Sequence, residues 1–117
     1  MKADLLSDAY LKFVRLMEAL ENNPQLPKLD HLEMKLLQQV ALQNNIGKTP
    51  LVGDLIFASD IGSPATLHRR IAKLIDQDLL RYKADIDGRK RLLELTPKSR
   101  DYCSRLGKCV VTAAQAV

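Results

Sequence analysis

Aromatic side chains are scarce in this chain of 117 residues, with three tyrosines, two phenylalanines and no tryptophan. That leaves little to line a substrate pocket. The sequence also lacks a nucleophile and base in any paired arrangement and a glycine-rich phosphate loop, so an enzyme is not expected. The two cysteines, Cys103 and Cys109, are six apart in what reads as one helix. Their side chains then point to different faces and cannot bridge, and buried free thiols account for them more simply than a redox sensor. His31 and His68 have no Cys or His at metal-ligand spacing, so neither a metal nor a cofactor is expected. No run approaches the roughly 20 apolar residues that span a bilayer. The opening MKADLLSDAY lacks the apolar core and cleavage site of a signal peptide, which predicts a cytoplasmic protein. Internal repeats and low-complexity tracts are absent as well.

What is present is an ordinary globular composition, 46% hydrophobic and 27% charged, at a length that fits one domain. The net charge of +4 is unevenly spread. Residues 63–98 hold nine Lys or Arg against five acids, whereas the remainder holds nine of each. The whole surplus therefore falls in one third of the chain, as on a polyanion-binding face, although on charge alone a solvated basic surface explains it equally well.

Periodicity predicts a mainly α chain with one small β hairpin. Leu6, Tyr10, Phe13, Met17 and Leu20 form a stripe on a helix over 4–21, widened by Leu5, Val14 and Leu16 beyond what one neighbour covers. NNPQLPK is a loop. Asp30 and Glu33 have capping-box spacing before a helix over 30–44, ended by Asn44, Asn45 and Gly47. Thr49 and Pro50 read as a cap and first helical residue of a short helix over LVGDLIFA.

Ser63 and Pro64 repeat that signature for a helix over 63–78, with Leu67, Ile71, Leu74, Ile75 and Leu79 inward and Thr66, His68, Arg69, Arg70 and Lys73 outward. A short turn containing Gly62 precedes it, which is the helix-turn-helix arrangement. LRYKADI and KRLLELT then flank Asp87 and Gly88 as a hairpin, a wing over 80–96 with Arg89, Lys90 and Arg91 at its tip and returning edge. Alternation along this hairpin places Tyr82 in the core with Leu80. Thr96 and Pro97 open a last helix over 97–115 whose apolar members include Tyr102, Leu106, Cys109, Val110 and Ala113.

This order of elements, and the run from Leu67 to Thr96, resembles the MarR family of bacterial winged helix-turn-helix transcriptional regulators. Leu67 with Arg69 matches that family's leucine and arginine on the recognition helix. Asp87, Arg89, Leu95 and Thr96 match its wing pattern of Asp-x-Arg followed by Leu-Thr. The likeness covers residues 29–106. It implies a homodimer with intertwined terminal helices, recognition helices in successive major grooves and wing arginines in the adjacent minor groove. Members usually have a longer C-terminal helical region than the one here, so dimer contacts there are expected to be reduced or rearranged. Their effector pockets lie between the dimer helices and the winged domain, but no residue here matches a ligand motif, so a small-molecule effector is compatible with the likeness and unsupported.

The reading is thus a single winged-helix domain with a DNA-binding part over 30–96 and dimerisation helices at both ends. Ser63, Thr66, His68, Arg69, Arg70, Lys73, Arg89, Lys90 and Arg91 are the candidate contacts to double-stranded DNA. Leu6, Tyr10, Phe13, Met17, Leu20, Leu106, Val110 and Ala113 are the candidate homodimer contacts. The alternative is a winged helix serving as a protein interaction module whose basic face meets an acidic partner.

Overall fold

Apolar spacing and local caps account for most of the element boundaries. The computed structural model describes residues 2–58, 60–84, 88 and 91–115. Its elements are α1 (Ala3–Glu21), α2 (His31–Asn45), α3 (Val52–Ala58), α4 (Pro64–Asp76), β1 (Leu80–Ala84), β2 (Arg91–Leu95) and α5 (Pro97–Gln115). The chain divides into two compact units, one of residues 29–99 and one of the segments up to Lys28 and from Arg100 onward.

The unit over 29–99 is a winged helix. Leu36, Leu37 and Val40 of α2, Val52, Leu55 and Ile56 of α3, and Leu67, Ile71 and Leu74 of α4 share its core with Leu79, Leu80, Leu93 and Leu95. Burying such side chains is the main favourable term in holding the helices and hairpin together. At Gly62, in the turn from α3 to α4, a Cβ would stand 3.2 Å from Leu67 Cδ2, so a larger residue there would press on that buried side chain by a few tenths of an ångström. β1 and β2 pair antiparallel, with Leu80 opposite Leu95, Arg81 opposite Glu94 and Tyr82 opposite Leu93. Gly88, between the two strands, has φ +71°, in the left-handed region that glycine adopts without strain.

Polar groups left at element ends are satisfied by neighbours. α4 closes with Asp78 in the left-handed region at φ +60°. The Asp78 N–H donates to Ile75 O and the Leu79 N–H to Leu74 O, a Schellman pattern built on Asp instead of Gly. Thr96 Oγ1 donates to Asp78 O at 2.6 Å and Lys98 Nζ to Gln77 O at 3.0 Å, which ties the start of α5 to the end of α4. Thr96 and Ser99 exchange hydrogen bonds between backbone N–H and side-chain oxygen, a capping box with serine in the third position. Asn44, near the end of α2, accepts from the Leu95 N–H at 2.9 Å and donates to Lys48 O at 3.0 Å.

The predicted cap at Thr49 and Pro50 is not formed. α3 starts at Val52, Leu51 bridges Leu92, and Pro50 O accepts from the Leu93 N–H at 2.8 Å. Pro50 and Leu51 are committed to pairing with β2, so the helix begins only after them. Tyr82 is likewise not core: it is 44% exposed.

In the other unit, α1 has no fully buried residue, and Leu5, Leu6, Tyr10 and Leu11 are exposed. Tyr102, Cys109 and Ala113 of α5 are buried, while Val110 and Val111 are exposed. Both cysteines are free thiols, and burial pushes the Cys103 thiol upward, away from the reactive thiolate. No helix among the described residues is long and apolar enough to cross a membrane.

Replacing Asn44 with alanine strands the Leu95 N–H and loosens β2 from α2. We expect a loss of about 1–3 kcal/mol in urea denaturation, with faster amide exchange at Leu95.

Candidate nucleic-acid interface

Helix α4 presents three side chains in a line along its exposed side. Ser63 caps the helix, its Oγ accepting from the Thr66 N–H at 3.3 Å while donating to Thr66 Oγ1 at 3.0 Å. Arg69 Nη2 in turn donates to Thr66 Oγ1 at 3.4 Å. Spacings of three residues stack these groups on one another. Among the described residues no carboxylate pairs with Arg69, and His68 beside it is exposed. Exposed Ala65 and Ala72 flank Arg69 at positions four before and three after it. Sequence reasoning missed these alanines, since small residues carry no charge, cap or periodic signal.

Arg70 and Lys73 are differently placed. Arg70 Nη1 lies 2.7 Å from Asp30 Oδ2, and Lys73 Nζ lies 3.2 Å from Glu33 Oε2. Both carboxylates also form the cap of α2, in which Asp30 Oδ1 accepts from the Glu33 N–H and Glu33 Oε1 from the Asp30 N–H. Glu33 is fully buried, and its Oε2 has no hydrogen-bond partner, so Lys73 meets it as an ion contact without hydrogen-bond alignment. The structure therefore brings Ser63, Thr66 and Arg69 together and turns Arg70 and Lys73 toward α2.

The Asp30 carboxyl is held below its ordinary value, first by the Glu33 N–H, with its own desolvation opposing and Arg70 and Lys73 assisting. A lowered folded-state value adds stability that is complete above the unfolded value and is lost as pH falls through the folded one.

On the wing, Arg81 Nε donates to Glu94 Oε1 at 2.8 Å across the strands. Arg91 is exposed, with its guanidinium over the Tyr82 ring at 5.3 Å from the centroid. Arg89 and Lys90, expected at the tip, lie outside the described residues. Of the expected dimer contacts, Leu6, Tyr10 and Val110 are exposed, whereas Phe13, Met17, Leu20 and Leu106 are half-buried. Ala113 is buried within its own chain and so offers little surface to a partner. An open groove of about 500 Å³ runs along α1, where Leu5, Leu11 and Leu16 alternate with Asp8, Lys12 and Arg15. Among the described residues no cluster of three or more His, Cys, Asp or Glu side chains could hold a metal ion.

No family model matches the sequence, and no curated protein does. Solved structures do match in fold. BpsR of Bordetella bronchiseptica, whose DNA binding is regulated by 6-hydroxynicotinic acid, is 22% identical over 99% of this chain and 78% of its own, with a TM-score of 0.56. A probable transcriptional regulator from Pseudomonas aeruginosa is 20% identical over 95% of this chain and 78% of its own, with a TM-score of 0.58. A MarR-family transcriptional regulator from Silicibacter pomeroyi is 23% identical over 95% and 67%, with a TM-score of 0.53. The fold is thus a MarR-like winged helix, and its structural neighbours are transcriptional regulators.

Two stability measurements separate the α4 cations. Lys73→Ala leaves Glu33 buried without its counter-ion and is expected to lower the unfolding free energy by about 1–3 kcal/mol, while Arg69→Ala changes it by no more than about 0.5 kcal/mol. In acid titration of stability, Asp30→Asn is expected to flatten the fall that wild type shows below about pH 4.

Proposed function

We propose that this chain is a homodimeric regulator of transcription that binds double-stranded DNA sequence-specifically in the cytoplasm. The observation that carries the reading is the exposed line Ser63–Thr66–Arg69 on the second helix of a helix-turn-helix, without a carboxylate beside Arg69 among the described residues. α4 enters the major groove, where Arg69 reads a base edge through its paired donors. Ala65 and Ala72 let the helix approach closely and offer methyl surface to thymine. His68 and Thr66 add base or phosphate contacts, and the capped N-terminus at Ser63 favours a phosphate. Arg70 and Lys73, tied to α2, stand at the edge of the surface with their charge offset by Asp30 and Glu33. The wing lies along the neighbouring minor groove, with Arg89 reaching in and Lys90 and Arg91 on the backbone.

Dimerisation uses the exposed apolar surface of α1, with Leu6 and Tyr10 foremost, together with Val110 of α5. Apolar area of this kind is unfavourable in water and is covered by a second copy. Two-fold symmetry then asks for a roughly palindromic operator with half-sites about 34–36 Å apart.

Fluorescence anisotropy on random and selected duplexes across a salt series tests the reading. Wild type is expected to bind steeply less well as salt rises, each phosphate contact adding about 0.9 to the slope. Arg69→Ala is expected to lose about 1–3 kcal/mol of discrimination at one base position, whereas Lys90→Ala weakens all sequences alike. Tyr10→Asp is expected to yield a monomer in sedimentation and to weaken operator binding. A wild-type monomer that ignores DNA even at low salt, but binds an acidic protein, would make this a protein interaction module instead.

A further inference from the structure

One aromatic side chain of the wing takes no part in the core. Tyr82 shares its face of the hairpin with Leu80, Leu93 and Leu95, all buried, yet it is itself 44% exposed. The Arg91 guanidinium lies over its ring, 5.3 Å from the centroid. Arg91 has no carboxylate partner among the described residues, in contrast with Arg81, which Glu94 neutralises. A cation over an aromatic face is attracted to the ring without spending its N–H donors on it, so they stay open to another acceptor. A ring restrains an arginine without cancelling its charge.

We infer that Tyr82 is a positioning residue for DNA: it holds Arg91 so that the N–H donors meet a phosphate beside the groove that α4 occupies. The inference rests on the DNA-binding reading above. An arginine held in place before binding gives up less side-chain freedom on the complex than a free one, so the stack adds affinity while Tyr82 itself touches no nucleotide. Its expected contribution is a factor of roughly two to five in Kd, that of an exposed cation–aromatic pair.

The test compares wild type, Arg91→Ala, Tyr82→Leu, Tyr82→Phe and the double variant Tyr82→Leu/Arg91→Ala for binding to one duplex, with thermal midpoints measured alongside. Arg91→Ala should weaken binding and lower the salt slope by about one phosphate contact. Tyr82→Leu should weaken it roughly two- to five-fold at an unchanged midpoint, Tyr82→Phe should bind like wild type, and the double variant should bind no worse than Arg91→Ala. Tyr82→Phe as weak as Tyr82→Leu would mean that the hydroxyl touches DNA, and additive losses would mean that the two residues act separately. Either result overturns the inference, as does an Arg91→Ala protein that binds like wild type. All three leave the DNA-binding reading standing, whereas a wild type that binds no DNA removes both.

Discussion

The winged unit depends on two carboxylates at the start of α2. Asp30 and Glu33 close the capping box of their own helix, and with their remaining oxygens they hold Arg70 and Lys73 of α4. A helix start leaves N–H groups that must find acceptors, and a carboxylate there also meets the positive end of the helix dipole. The same groups therefore fix where α2 begins and where α4 lies against it. Glu33 is completely buried, so its charge is tolerated only through those N–H and ammonium contacts. Apolar side chains alone would leave α4 freer to roll against α2, because hydrophobic contact is non-directional.

From α4 the constraint passes to the wing through backbone polar groups. The carbonyls of Gln77 and Asp78, just past α4, are met by Lys98 of α5 and by Thr96 before it, and the N–H of Leu95 by Asn44 from α2. Pro50 and Leu51 cover the other edge of β2. Each contact satisfies a group that would otherwise be stranded, which is costly enough to keep the hairpin in one orientation. The hairpin is thus held at its base, with Tyr82 exposed on β1 opposite buried Leu93 and Arg91 exposed at the outer end of β2.

Features that are local in sequence were legible before the structure. The caps at Asp30, Ser63 and Thr96 are signalled by near neighbours, a glutamate three residues on or a proline directly after, and all three form. The positive φ of Gly88 and the apolar stripe of α4 belong to the same class. Features that depend on a partner distant in sequence were not legible. Thr49 and Pro50 look like a helix start until Leu92 and Leu93 are alongside. Alternation assigns Tyr82 to the correct face of the hairpin but carries no information on how far it is buried there. Arg70 and Lys73 look equivalent to Arg69 until Asp30 and Glu33 are placed beside them. Charge composition counts cations, whereas a binding surface depends on which cations have already been neutralised.

That distinction divides five basic side chains of the winged unit into two kinds. Arg70, Lys73 and Arg81 are held by carboxylates, which cancel their charge at short range while fixing their position. Arg69 and Arg91 are held by neutral groups, a threonine hydroxyl and a tyrosine ring. A neutral partner restrains an arginine and leaves its charge intact, so the side chain is ordered before a polyanion arrives and still attracts it at full strength. Removing a carboxylate-held cation exposes an uncompensated acid and is felt first in stability. Removing a neutrally held one leaves no such acid behind, so its effect is felt first in what the surface binds.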